Sequence, residues 1–299
     1  MTRTTLKQLF QLTPRGPFSL AASAAFLNSF APAAHKAAAS AQHLHLAFVA
    51  DGSDQAVGVC LSEKDGAIIG ELFGAAGTAI VSKQVERILS IDVDGSSFPA
   101  VGQHDPVVGQ LQARYPGLRP VCFYSPYEAA AWILISHRIR ITQAARIKAR
   151  IAEALGETLD IHGEKVHTFP SPTRLLQLES FPGLFGRKIE YLHRLAEATI
   201  AGKLDAAHLR SISQEKALEE LQKLPGIGIF SAEHILLRGA GDPDYLTLNE
   251  PRLPRAVALA YNLKAEPSSE ELRVISENWR PYRTWVTFLS LRVNNDRER

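Results

Sequence analysis

The sharpest chemical signal lies between residues 213 and 239, where Leu224-Pro225-Gly226-Ile227-Gly228 separates two amphipathic stretches. Ala217, Leu218 and Leu221 form an apolar face before it, and Ser231, Ala232, Ile235 and Leu236 continue one after it. The spacing predicts two helices pinned by a tight hairpin. At the start of the second helix, unpaired N–H groups and the positive end of the helix dipole face outward, and an oxyanion is their natural partner. Glycine at 226 and 228 lets a phosphate approach the main chain closely. Leu224, Gly226, Ile227, Gly228 and Ser231 are therefore candidate contacts to a nucleic-acid backbone. Such contacts read no bases, so the element positions a protein on any duplex sequence. An ordinary helix–turn–helix connection is the plainer alternative, although the full string is more constrained than a turn requires.

Composition narrows the remaining choices. With 299 residues, 45% of them hydrophobic, the chain can bury a large core and should divide into two or three domains. Its 33 cations nearly balance its 31 acids, so nucleic-acid binding must come from local clustering of charge. Cys60 and Cys122 are the only cysteines, too few for a cysteine-ligated iron–sulfur cluster, a zinc site or a disulfide framework. A reducing, cytoplasmic setting is the expectation. Polar residues interrupt the apolar stretch from Leu20 to Phe30, so neither a signal peptide nor a membrane helix is expected.

The elements that must hold the hairpin fall into two regions. His43 to Ala50, Ala56 to Ser62 and Ala67 to Leu72 are β-type runs separated by Asp51-Gly52 and Asp65-Gly66, an antiparallel meander. Ile80 to Ile91 follows with helical spacing of Val81, Val85, Ile88 and Leu89. A Gly- and Pro-rich stretch, Asp94 to Pro126, leads into a remainder read as wholly helical. The fold class is α+β, with residues 1–118 as an N-terminal sheet-and-helix layer and 119–299 as a helical core of two lobes. Ser125-Pro126-Tyr127-Glu128 is a strong helix start, and the helix it opens is apolar all round, hence buried. Its far end emerges as Ser136-His137-Arg138-Ile139-Arg140, followed by a helix over about 142–155. No acid occurs between Glu128 and Glu153, whereas Arg138, Arg140, Arg146, Lys148 and Arg150 are all cationic. That run reads either as a solvated helix face or as a DNA-facing surface.

Taken together, these features resemble the helix-hairpin-helix superfamily of DNA glycosylases, and specifically the bacterial 3-methyladenine DNA glycosylase II family. The resemblance rests on the hairpin, Tyr127-Glu128 with its buried helix, Phe169 to Leu175, Gly186-Arg187-Lys188 with Glu190, Leu237-Arg238-Gly239, and Trp279 to Arg283, in that order. It implies a TATA-protein-like N-terminal layer, a cleft between two helical lobes, and a monomer acting on damaged double-stranded DNA with no membrane association and no required cofactor. A damaged purine would be everted into a pocket and its N-glycosylic bond broken through a cationic, sugar-like transition state.

The family's site maps onto this chain with several departures. Its catalytic aspartate, which stabilises the developing positive charge and helps water attack, falls on Glu250 in Leu248-Asn249-Glu250-Pro251. Glutamate keeps the charge and adds a methylene. The lysine by which some relatives also cut the backbone falls on Phe230, so attack by water alone is implied. Phe26, Phe230, His234 and Trp132 fall in the base pocket, and Leu291 stands where the family has a tryptophan. The apolar residue that the family inserts into the DNA stack falls on Arg138, preceded by His137; an arginine there would serve as gap-filler or phosphate contact. A Na or K ion held by main-chain carbonyls of Gln222, Leu224 and Ile227 is also implied. Asp242 and Asp244 are read as turn residues. The rival to catalysis is a lesion- or structure-specific DNA-binding protein on the same scaffold.

Overall fold

The computed structural model describes residues 8–30, 32 and 43–297. The N-terminal layer opens with strand β1 (Gln8–Leu12) and helix α1 (Leu20–Ser29), followed by strands β2 (Leu44–Val49), β3 (Ala56–Lys64) and β4 (Ala67–Phe73). The sheet is antiparallel in the order β1-β4-β3-β2. Asp65 and Gly66 both take positive φ, 52° and 77°, which is the twist a two-residue hairpin needs and why an Asp-Gly pair sits there. Helix α2 (Thr78–Ile88) buries Val81, Val85 and Ile88 as its periodicity requires. The stretch read from its glycines and prolines as a connection instead contains α3 (Phe98–His104) and α4 (Pro106–Arg114). Both prolines occupy the first helical turn, where a missing N–H costs nothing, and Asp105 caps α4 through the N–H groups of Val107 and Val108.

The helical part begins with α5 (Pro126–Ser136), every residue of which except Ser136 is buried, and α6 (Ile141–Leu155). Strands β5 (Thr158–Ile161) and β6 (Glu164–His167) then form a hairpin, correcting the all-helical reading of this region. Its turn is His162-Gly163, both at positive φ, and Leu159, Ile161 and Val166 alternate as strand residues should. The alternation is only four residues long on each side, too short to stand out in the sequence. Ile161 seats against Gly58 of β3, where any side chain would clash, and packs with Ala47, Cys60 and Val166 over one face of the N-terminal sheet.

Helices α7 (Pro172–Leu175), α8 (Lys188–Ile200), α9 (Ala206–Ser211), α10 (Gln214–Gln222) and α11 (Ile229–Ile235) complete one lobe, and α11 runs on into a π-helical turn, Leu236–Ala240. Helices α12 (Leu253–Tyr261), α13 (Ser269–Glu277) and α14 (Arg283–Arg297) close the chain. Two large cores result. One joins the N-terminal layer to the last three helices, from Leu12 through Val121 and from Leu246 to Val293. The other spans Phe123 to Ala240 around α5. The hydrophobic core thus crosses the 118/119 boundary, because α14 packs back on the first layer. No helix among the described residues is long and apolar enough to cross a membrane.

Candidate DNA-facing surface and active site

The hairpin between α10 and α11 has the geometry its glycines imply, and the two glycines do different work. Gly226 lies at φ +84°, and a Cβ there would meet Tyr191 and Leu134 at 2.7 and 2.9 Å. Gly228 is the N-cap of α11 with extended backbone, and a Cβ there would meet nothing within 4 Å. Gly226 therefore shapes the turn, while Gly228 leaves open space before the first N–H groups of α11. The same observation places the hairpin against the last turn of α5 and the first turn of α8, since Leu134 and Tyr191 belong to those helices.

His137 caps α5, and Arg138 follows, exposed and at φ +56° in the left-handed region that non-glycine residues seldom occupy. Burial, with Lys188 and Arg138 nearby, holds the His137 imidazole below its ordinary pKa, so it is neutral at pH 7. The cationic run breaks up here. Lys148 is 2% exposed and donates from Nζ to Glu128 Oε1 at 2.6 Å and to the Pro32 carbonyl at 3.0 Å. It belongs to the core and cannot face DNA; Glu128, three residues after the Ser125 cap, is its partner there.

The π turn widens the helix where Arg238 leaves it. Arg238 donates to the Val121 carbonyl at 2.5 and 3.2 Å and lies 5.1 to 5.4 Å from the ring centroids of Phe26, Phe30 and Phe288. Around it runs a chain of ring contacts: Phe288 with Phe26 at 5.0 Å, Phe26 with Phe30 at 5.1 Å, Phe30 with Phe123 at 5.3 Å, and Phe123 with His234 at 5.8 Å. Phe230 extends it at 6.3 Å from His234 and leaves much of its own ring in solvent. Burial pulls His234 down to about 3, so it contributes a neutral ring. Of the residues expected in the base pocket, Phe26, Phe230 and His234 lie along this one array. Leu291 lies half-buried on α14 one turn after Phe288, and Trp132 is buried in the core around α5, with no ring contact to the array among the described residues. Arg238 stands in the sequence only within the Leu237-Arg238-Gly239 string, with no role attached, and Phe30, Phe123, Phe288 and Arg292 escape a reading of the sequence alone. The four-residue spacings Phe26/Phe30 and Phe288/Arg292 are their only trace.

The loop after the π turn carries Glu250. Asp244 anchors one end, accepting from the Arg283 main chain at 3.1 Å and its Nε at 2.9 Å, and from Arg280 Nη1 at 3.0 Å. Asp242 accepts from Gln214 at 3.1 Å and from the Asp244 N–H at 2.9 Å, so both aspartates hold the turn as expected. The middle is fixed by a carboxylate the sequence does not advertise. Glu233, buried on α11, accepts from the hydroxyls of Tyr245 at 2.8 Å and Thr247 at 2.6 Å and from the Asn249 amide at 2.8 Å. Three donors converging on one buried acid tie the residues just before Glu250 to the second hairpin helix.

Glu250 is 6% exposed. Its Oε1 accepts from Arg252 Nε at 2.8 Å and from the Arg252 N–H at 3.1 Å, and its Oε2 accepts from Nη2 at 2.9 Å. Burial alone would raise its pKa; the Arg252 contacts outweigh it and hold the carboxyl below the ordinary glutamate value. Glu250 is therefore an anion at neutral pH, next to the aromatic array. The arginine is half-exposed, at 53% for the side chain. Removing it should let burial dominate. We expect Arg252→Leu to raise the Glu250 pKa, so that the acid limb of a kcat/KM–pH profile moves to higher pH while the parent stays active further into acid. An unmoved limb would detach Arg252 from the site's ionisation.

A sheet-and-helix layer, two helical cores and a glycine hairpin that abuts an aromatic array and a buried carboxylate together define the fold of the helix-hairpin-helix glycosylases. The solved 3-methyladenine DNA glycosylase from Archaeoglobus fulgidus superposes with a TM-score of 0.75 at 21% identity, over 94% of this chain and 96% of that one. In sequence, the chain is 24% identical over 217 residues to the DNA-3-methyladenine glycosylase of Bacillus subtilis (strain 168), covering 71% of this chain and 72% of that protein. It is 29% identical over 183 residues to DNA-3-methyladenine glycosylase 2 of Escherichia coli (strain K12), covering 60% of this chain and 61% of that one. No protein-family model matches the sequence. The chain thus shares the fold of a solved 3-methyladenine DNA glycosylase and is similar in sequence to several bacterial 3-methyladenine DNA glycosylases.

Proposed function

We propose that the protein is a monofunctional DNA glycosylase that excises alkylated or otherwise damaged purines from duplex DNA, acting as a monomer. The observation that carries this reading is the ionised, buried Glu250 at the edge of an aromatic array, on a loop tied by Glu233 to the hairpin's second helix. The hairpin N–H groups and the Leu224–Gly228 main chain take a phosphate, whereas Ser231, expected to join them, is buried at 7% on the inner face of α11; Arg138 and His137 meet the gap left by the everted nucleotide, and the damaged base docks on the open face of Phe230. As the glycosylic bond stretches, positive charge grows on the sugar, and the Glu250 carboxylate stabilises it. Its low pKa suits this electrostatic task better than proton abstraction, so water needs orientation more than a strong base. The duplex phosphates compete for the half-exposed Arg252, which turns the carboxylate toward the sugar. With Phe230 at the position of the lyase lysine, no Schiff base forms.

The hairpin carbonyls of Gln222, Leu224 and Ile227 offer an all-oxygen donor set suited to a Na or K ion, which would supply positive charge beside the phosphate. Leu224 O takes one hydrogen bond, from the Ile227 N–H at 3.1 Å, and a carbonyl has a second lone pair to give. Among the described residues no cluster of three or more His, Cys, Asp or Glu side chains could hold a metal.

Base release from duplexes containing 3-methyladenine, 7-methylguanine, hypoxanthine or ethenoadenine tests the reading. Release of at least one base without strand cleavage is expected; tight binding with release of none would favour a non-catalytic lesion binder. The hairpin has its own test. Gly228→Val should keep the thermal stability of the parent and weaken duplex binding about tenfold by blocking the phosphate, whereas Gly226→Val should destabilise the fold itself. Undiminished affinity in Gly228→Val would remove the phosphate from that site.

A further inference from the structure

We propose that His234 and Arg238 make the base site selective for uncharged damaged bases that carry a carbonyl, deaminated purines above cationic alkylated ones, an inference that rests on the glycosylase reading. The two side chains follow Phe230 at intervals of four residues along α11 and the π turn. His234 lies between two rings, 5.8 Å from Phe123 and 6.3 Å from Phe230. Neither of its nitrogens has a hydrogen-bond partner among the described residues. Neither is sealed from solvent, since among those residues the Thr287 hydroxyl is the one buried polar side-chain atom without a partner. A neutral imidazole holds one donor and one acceptor, and both are left for a ligand lying on Phe230.

Arg238 adds a further donor. Its Nε and Nη2 go to the Val121 carbonyl, which leaves Nη1 without a partner among the described residues. Burial brings the guanidinium down to about 10, so it stays a cation at neutral pH. The rings beyond His234 are already taken by this charge. Arg238 stands 5.1 to 5.4 Å from the centroids of Phe26, Phe30 and Phe288, and Arg292 stands 5.7 Å from that of Phe26. An aromatic face attracts a cation through its quadrupole, and a second cation at the same rings meets like charge instead. His234 reports the outcome: burial first, then the field of Arg238, keep a proton off its ring despite Glu250. A purine made cationic by alkylation would face the same two penalties beside it. A carbonyl oxygen gains from the same groups, accepting from the imidazole N–H or from Nη1. Hypoxanthine has that oxygen and no charge.

The test compares base release from four duplexes, each rate divided by the spontaneous loss of the same base, because cationic bases leave more readily unaided. Hypoxanthine and 7-methylguanine both carry the carbonyl and differ in charge; 3-methyladenine has the charge alone, and ethenoadenine has neither. The parent should accelerate hypoxanthine loss about tenfold or more beyond the loss of either cationic base, with ethenoadenine in between. His234→Phe keeps a ring and removes both nitrogens. It should cost hypoxanthine about tenfold and leave 7-methylguanine within about twofold, a change of ratio that a general loss of folding does not produce. Equal or greater acceleration of 7-methylguanine by the parent, or an equal loss on both bases in His234→Phe, overturns the selectivity and leaves the glycosylase reading in place. Release of none of the four bases removes that reading, and the selectivity with it.

Discussion

Glu250→Gln is expected to lower the single-turnover rate of base release about a thousandfold or more while duplex affinity stays within about twofold of the parent. The amide keeps the volume and one oxygen of the carboxylate, so the loop has no steric reason to move. What it loses is the charge. In this buried setting, beside the half-exposed Arg252, that charge is the main source of stabilisation for a cationic sugar. Glu250→Asp is the informative companion. Aspartate keeps the charge and withdraws it by one methylene, and a displacement of about an ångström can cost roughly a hundredfold in rate. The loop is fixed upstream by Glu233 and Asp244, so it cannot follow the shorter side chain. Glu250→Asp should therefore lie between the parent and Glu250→Gln. Full activity in Glu250→Gln would mean that the chemistry resides elsewhere.

The second large effect is on stability. Lys148→Met should cost about 3–5 kcal/mol of folding free energy, because it strands the Glu128 carboxylate in the core without its partner. The ammonium also gives up the Pro32 carbonyl and its place 5.5 Å from the Phe169 ring. Replacing both partners, Glu128→Gln with Lys148→Met, should recover part of the loss, since no charge is then buried unpaired. Denaturant unfolding of the two variants measures it. Lys148→Met should also leave the salt dependence of duplex binding unchanged, as a residue that touches no phosphate must; a reduced slope would return Lys148 to the DNA face.

The contrast between Lys148 and Arg138 shows what the sequence could and could not convey. Both stand in one acid-free run of cations, and only burial separates the core pair from the exposed arginine. The helical period places Lys148 on the Ala144, Ile147 and Ile151 face of α6, but a lysine on an apolar face is not recognised as core until its partner Glu128 on α5 is known. Local chemistry was legible: the Ser125 cap, the Asp65-Gly66 hairpin and Gly226 each need a particular residue at a particular backbone position. The His162-Gly163 hairpin and the helices at 98–114 were obscured, the first by strands of four residues and the second by prolines that read as breakers but serve as helix starts. The pocket is harder still. Phe26, Phe30, Phe123, His234, Arg238 and Phe288 come from α1, the segment before α5, α11, the π turn and α14, so their meeting depends on the first and last parts of the chain sharing a core. Glu233 shows the same limit, for its three donors lie 12 to 16 residues away around a loop.

The most direct measurement compares affinity for two duplexes that differ only at the sugar of the excised nucleotide, one bearing a cationic pyrrolidine and the other a neutral tetrahydrofuran. If a buried glutamate has been set against the developing positive charge, the parent should prefer the cation by about a hundredfold or more, and Glu250→Gln should bind both alike. Equal affinity of the parent for the two sugars, with Glu250 intact, would contradict it.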